Sequence, residues 1–164
     1  QELVSIMPGE NYGFHCMRLG KSTPDFIEKV MGIIEDTTFK YIELNSSDEV
    51  IDQKPSEKDL TIDWEKQTSN DIEALVNATN PKYGGVKTTN SDVEMYVLEV
   101  TPVNMEDPID AEPGQIIHAD ATYGLVVYCC NEECVRITVV RTREGYLSGV
   151  KLFNLGFGVG HKFD

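Results

Sequence analysis

Tyr123-Gly124-Leu125-Val126-Val127-Tyr128-Cys129-Cys130, then Asn131-Glu132-Glu133, then Cys134-Val135-Arg136-Ile137-Thr138-Val139-Val140-Arg141-Thr142 is the stretch whose reading decides the fold class. Two apolar runs rich in β-branched residues flank three polar residues, which is the pattern of a β-hairpin. On the second run Val135, Ile137, Val139 and Arg141 fall on one face, and Arg136, Thr138, Val140 and Thr142 on the other. Such alternation marks a strand with one apolar side. Arg141 continues that apolar side, so its guanidinium needs an acidic partner or an aromatic or carbonyl surface to lie on.

Outward from the hairpin, further β-like runs occupy residues 38–44, 60–66, 92–100, 115–119 and, more weakly, 146–153. Two more are candidates around 49–53 and within 71–88, although Ile72, Leu75 and Val76 also have helical spacing. Asn45-Ser46-Ser47-Asp48, Asn80-Pro81, Gly84-Gly85, Asn90-Ser91 and Glu112-Pro113-Gly114 punctuate the runs as turns. Residues 1–24, with Pro8, Gly9, Gly13, Gly20 and Pro24, read as an irregular lead-in. Ser22-Thr23-Pro24-Asp25 then opens a short helix that puts Phe26, Ile27, Val30 and Met31 on one side and stops at Gly32. Many short strands with turn chemistry between them imply an antiparallel sandwich or barrel, and no linker divides residues 1–164 into more than one domain.

Composition narrows the function classes. Of 164 residues, 40% are apolar and 26% charged, ordinary for a globular protein. The longest apolar run, about eight residues, falls far short of the ~20 a membrane helix needs. Acidic residues outnumber basic ones 28 to 14, for a net charge of −14. That balance speaks against nucleic acid and anionic membranes as partners, since both require a basic face. It suits solubility, or attraction of cationic partners.

The chain opens at Gln1 with no visible leader and carries four cysteines, Cys16, Cys129, Cys130 and Cys134. An even count suits two disulfides in a secreted protein. Cys129 and Cys130 would point to opposite faces of a strand and need different partners. Cys130 could staple to Cys134 and Cys16 to Cys129, or Cys16 could instead pair with Cys130 or Cys134. Two glycosylation sequons begin at Asn45 and Asn77. These features together predict a secreted glycoprotein. No metal site is expected, because His15, His118 and His161 are scattered and lack ligand spacing.

Three motifs give the chain a resemblance to the lipocalin family. Asp25-Phe26-Ile27-Glu28-Lys29-Val30-Met31-Gly32-Ile33-Ile34 resembles the first signature, a short helix running into Gly-x-Trp, with Ile34 in the tryptophan position. Residues 115–130 resemble the second, keeping Asp120 and Tyr123 but with His118 and Ala119 where the family has threonine and aspartate. Ile137-Thr138-Val139-Val140-Arg141-Thr142-Arg143 resembles the third, with Arg141 as the arginine that closes the barrel base. The resemblance implies an all-β, eight-stranded, antiparallel up-and-down barrel with a short N-terminal helix. It also implies a bridge from an N-terminal cysteine to one ending the seventh strand, here Cys129, as in arthropod, salivary members.

A barrel of about eight strands holds its own side chains or one small ligand. Residues expected to line that interior are Phe39, Tyr41, Trp64, Glu94, Tyr96, Leu98, His118, Asp120, Tyr123 and Val139. Carboxylates beside aromatic rings could cage an amine by ion pairing and cation–π attraction. His118 could ligate haem iron, but a hydrogen-bonded structural role is the favoured reading, so no cofactor is expected. No nucleophile motif, phosphate loop or paired-histidine motif appears, so the chain is expected not to be an enzyme. The leading expectation is a secreted, monomeric carrier sequestering a lipid-like molecule or a biogenic amine such as histamine or serotonin. The alternative is a filled barrel that binds or inhibits a protein partner through its loops.

Overall fold

A computed structural model describes residues 3–34, 38, 53–91, 93–105 and 110–164. The expected strands at 38–44 and 49–53, and with them Phe39, Tyr41 and Asn45, lie outside or almost wholly outside these residues. In chain order the elements are helix α1 (Tyr12–Ile34), a short 3-10 turn (Lys58–Leu60), α2 (Ser69–Thr79), β1 (Val86–Asn90), β2 (Val93–Val103), β3 (Ile116–Asp120), β4 (Gly124–Tyr128), a second 3-10 turn (Cys130–Glu132), β5 (Cys134–Thr142), β6 (Gly145–Ser148) and α3 (Gly149–Asn154). No helix among the described residues is long and apolar enough to cross a membrane.

The eight-stranded barrel is not what the chain forms. Six antiparallel strands make one sheet in the order β1-β2-β5-β4-β3, with β6 added to β5. Strands β4 and β6 share one edge of β5, pairing with Cys134–Ile137 and Val139–Thr142 respectively, while β2 takes the other edge. The run at 60–66 is a 3-10 turn followed by a single bridge, Thr61 to Lys87, and the run at 146–153 is a four-residue strand that turns into α3. The strands expected at 92–100, 115–119, 123–130 and 134–142 do form, within a few residues of their expected bounds.

At the ends of the sheet, β1 and β3 are joined by residues 160–164 rather than by further strands. Thr89 and Asp164 exchange backbone hydrogen bonds at 2.9 and 3.3 Å. Ile116 N–H donates to His161 O at 2.8 Å, and Phe163 N–H donates to Gly114 O at 2.8 Å. The Asn90 carboxamide donates to Lys162 O at 2.8 Å. The interior is solid: Ile62, Trp64, Ile72, Val76, Met95, Val97, Ile116, Leu125, Ile137, Leu152 and Phe163 are all buried in one cluster. A second, smaller cluster of Val126, Tyr128 and Cys134 lies apart from it, which is why β4 is buried along its whole length.

The alternation read from β5 holds only for its first half. Val135 and Ile137 are core residues, but beyond them Val140 and Thr142 are the buried ones. Register irregularities in β2 between Val97 and Val100 shift the pairing there, and a one-residue slip exchanges the faces of a strand. Arg141 therefore sits on the outer face. It finds the aromatic and carbonyl surfaces it requires: its guanidinium lies 4.2 Å from the centre of the Tyr96 ring and donates to Gly84 O at 3.3 Å.

The two longer helices are built differently. Helix α2 opens with a capping box in which the Thr68 hydroxyl accepts from Asp71 N–H while the Asp71 carboxylate accepts from Thr68 N–H. Ile72 and Val76, one turn apart, are completely buried. Helix α1 runs through the segment expected to be irregular, incorporating Gly13, Gly20 and Pro24. Its 23 residues include none that is buried, and Phe14, Met17, Phe26, Ile27, Met31 and Ile34 are all exposed. Its attachments to the body gather at its first turn, where Gly13 N–H donates to Asn80 O and the Lys82 ammonium faces the Tyr12 ring at 5.4 Å.

Candidate functional site

Beside the core, a cleft of about 620 Å³ lies between residues 58–67 and residues 162–164. Trp64 forms its inner wall. The indole is 3% exposed and donates from Nε1 to the Thr88 hydroxyl at 3.0 Å. Phe163 stacks on it with ring centres 6.0 Å apart, and Phe157 stacks on Phe163 at 6.5 Å. Gly114 permits this approach: its φ is +85°, and a Cβ there would collide with Phe163 O. Without that glycine the Phe163 backbone could not reach the sheet.

The rim of the cleft is ionic. Asp63 accepts from Lys66 Nζ at 2.6 Å, and this bond holds the Asp63 carboxyl below its ordinary range. Lys162 Nζ donates to Glu112 at 2.8 Å, which likewise lowers the Glu112 pKa and raises that of Lys162. Asp59 accepts from the Ser56 hydroxyl and backbone N–H, which lowers its pKa. Asp59, Asp63 and Glu65 make the rim on the 58–67 side predominantly acidic. With Trp64 and Phe163 buried ring against ring, the cleft offers neither an open aromatic face nor a nucleophile. Among the described residues no hydroxyl or thiol hydrogen-bonds a histidine, and no cluster of three metal-ligating side chains occurs.

The remaining candidate ligands do not converge on Trp64. Glu94 and Tyr96 meet on the outer face of β2, where Tyr96 Oη donates to Glu94 at 2.9 Å. Lys87 pairs with Glu94 at 2.8 Å and Glu57 at 2.9 Å, raising the lysine pKa and lowering that of Glu94. His118, Asp120 and Tyr123 form a second group: His118 Nε2 lies 3.0 Å from Asp120 and its ring meets the edge of Tyr123 at 5.9 Å. Asp120 accepts from the N–H groups of Tyr123 and Thr122, which hold its carboxyl low. Strands β5 and β4 separate β2 from β3, so these groups lie on strands three ~4.8 Å spacings apart, and the Tyr96 partner Arg141 and the Arg136 level of His118 are also separated along β5. Leu98 and Val139 are half-buried on β2 and β5. Among the described residues the expected cage members are not brought together: Glu94 and Tyr96 sit on β2, and His118 and Asp120 on β3, with Tyr123 just before β4.

None of the cysteines is bridged. Cys16 is exposed on α1, Cys130 is half-buried, and Cys129 and Cys134 are buried thiols in separate apolar clusters. Burial pushes the Cys134 thiol up to about 11 and Cys129 higher still. The disulfide pairings are thereby corrected, and the argument for secretion loses that support. The Asn77 sequon lies within α2, with its Thr79 hydroxyl buried and donating to Leu75 O and Val76 O. Phe163 and Lys162, which line the cleft, and Thr88, which holds its indole, went unread in the sequence, and Gly114 was read only as part of a turn. The indole N–H of a buried Trp64 signals a partner, but nothing local points to Thr88, 24 positions on, or to Phe163 in the C-terminal segment.

Residues 54–157 match the family described as formyl transferase, C-terminal domain. The chain belongs to that family. The lipocalin resemblance, and the non-enzymatic, salivary amine or lipid carrier drawn from it, are overturned by this match to a family of formyl transferases. No curated protein matches the chain. Among solved structures, a variant of HypX from Aquifex aeolicus is similar with a TM-score of 0.66 and 16% identity, over 93% of this chain and 28% of that one. HypX from Aquifex aeolicus in complex with tetrahydrofolic acid is similar with a TM-score of 0.58 and 18% identity, over 79% of this chain and 23% of that one. The chain thus spans less than a third of the HypX structures it resembles, and likeness at such identity is likeness of fold.

Proposed function

We propose that this chain serves as the C-terminal domain of a protein that transfers a formyl group, with a small molecule of the tetrahydrofolate class as that protein's formyl donor. The match of residues 54–157 to the formyl transferase C-terminal family carries the reading. The shared fold with HypX, one structure of which is a complex with tetrahydrofolic acid, supports it. Formyl transfer needs a nucleophile aimed at the formyl carbon and a base to take its proton. The described residues bring no such pair together, which supports a binding or docking role for this domain rather than the chemical step.

The cleft beside Trp64 does not fit a folate. Both of its rings are buried against each other, and its acidic rim opposes the carboxylates of a folate tail. No step is therefore assigned to that cleft. Calorimetric titration of the complete gene product with tetrahydrofolate, together with loss of the formyl group from 10-formyltetrahydrofolate, tests the proposal. Saturable binding with formyl release is expected; neither binding nor release overturns it.

A further inference from the structure

Within residues 1–164 helix α1 carries an apolar face that stays open. From Leu19 onward, Leu19, Phe26, Ile27, Val30, Met31 and Ile34 are each at least 39% exposed, with Ile33 half-buried beside them. Successive helical residues turn by about 100°, so these side chains share one arc roughly 160° wide. Lys21, Asp25, Glu28 and Lys29 all fall on the opposite side. Thr23, inside the arc, turns its hydroxyl to Leu19 O at 2.7 Å and so leaves no donor loose on the face. The lead-in follows only one edge of it, where Val4 lies beside Leu19 and Phe26 and Arg18 donates to Ser5 O at 3.1 Å.

The body of the fold makes no use of this face. Neither apolar cluster includes a residue of α1, and the family match, residues 54–157, lies wholly outside it. The likeness to a HypX variant nevertheless covers 93% of this chain. The part left over is shorter than α1, so the likeness extends into the helix, within a chain of which this one covers 28%. The width of the arc selects what covers it. A two-helix seam is a narrow stripe, whereas so broad an arc buries fully only against a flat layer such as the face of a sheet. An anionic membrane is a poor match, because the polar side carries both signs and the chain has a net charge of −14.

We propose that α1 docks by this face onto the apolar face of a β-sheet in a second folded domain of the same polypeptide, the domain that transfers the formyl group. The inference rests on the reading of this chain as the C-terminal domain of such a protein. Residues 19–34 then belong to the packing of the neighbouring domain, and the first turn of α1 belongs to this one. That turn is held by Gly13 N–H donating to Asn80 O and by the Lys82 ammonium facing Tyr12. Gly13 permits the approach, since a Cβ there would stand 2.7 Å from Pro81 Cδ. The helix thus works as a strut that fixes the six-stranded sheet against the reacting domain.

The test is alkylation of the complete gene product carrying Val30→Cys, read by peptide mass spectrometry with the protein native and in urea. The introduced thiol is expected to react roughly tenfold or more slowly in the native protein than in urea. Adding Ile27→Asp, a charge in the middle of the face, is expected to restore fast alkylation. Trp64 emission stays that of a buried indole in that variant, because α1 buries nothing in this domain. Glu28→Gln, on the charged side, is expected to leave the protection intact. A native rate close to that in urea, protection that disappears on dilution to monomer, protection that requires lipid vesicles, or protection indifferent to Ile27→Asp overturns the proposal. Titration of the same protein with tetrahydrofolate separates the two readings. Protection without folate binding or formyl release retains the docking and removes the formyl-transfer reading, whereas formyl release with an open thiol removes the docking alone.

Discussion

Helix α1 is twice as long as α2, yet α2 is the one the fold depends on. Twenty-three residues in α1 bury no side chain, whereas the eleven of α2 bury four and begin at a capping box. Helix α2 is further fastened from outside, because the Glu133 carboxylate accepts from the backbone N–H and hydroxyl of Ser69 at 2.8 and 2.6 Å. That contact ties the first turn of α2 to the β4–β5 connection, 64 residues away. The comparison teaches that helix length measures little; what packs against the helix and what satisfies its free N–H groups decide its stability.

The comparison breaks most readily at Ile72. Ile72→Ala should cost about 3 kcal/mol in urea denaturation, while Phe26→Ala on α1 should stay within about 0.5 kcal/mol. Equal losses at the two sites would mean that α1 is packed after all. Removing the outside fastening comes next: Glu133→Ala should cost about 1–2 kcal/mol and accelerate amide exchange in the first turn of α2, because it leaves two donors of Ser69 unpaired. Thr68→Ala, which deletes one arm of the capping box, should cost about 1 kcal/mol, with no change in the exchange of α1.

The smallest expected effect is a pH dependence. The Thr68 hydroxyl and backbone hold the Asp71 carboxyl below its ordinary value in the folded chain. A group whose folded pKa is depressed contributes its stability above the unfolded value near 4, and that contribution disappears as pH falls through the lower folded value. The α2 amides should therefore lose protection below pH 4 more steeply than those of Asp71→Asn, in which the slope should flatten. A slope unaffected by the substitution would remove Asp71 from the cap.

What could be read in the sequence follows the same division. The strands at 93–103 and 134–142 were legible because long-range pairing there agrees with local β-branched patterning. The slip within β5 was not, because a bulge depends on its partner strand and leaves no mark in the alternation of Val135, Ile137 and Val139. The first half of helix α1 was hidden by Gly13, Gly20 and Pro24, each a local breaker, whereas its second half, up to Gly32, was legible as a short helix. Pro24 deprives the chain of one helical donor, while Ser22 and Thr23 turn their hydroxyls to Leu19 O. The barrel expectation failed for a related reason: three short motifs matched a strand pattern common to many sheets, while the residues that separate an open, filled sheet from a hollow ring act across strands. Of the candidate site, Trp64 was legible as an inward-facing ring, but the partners that cover it come from a C-terminal segment with little periodicity.

That segment has a kinetic consequence. Thr88 and Asn90 reach Asp164 and Lys162 across 76 and 72 residues, among the most distant contacts in the chain. Contacts of such separation must close large loops before any stabilisation returns, so they slow folding. The six strands can pair in local hairpins first, and the seating of Phe163 against Trp64 then becomes the late step that shuts the core from water. Refolding followed by Trp64 fluorescence should accordingly lag behind strand formation followed by circular dichroism.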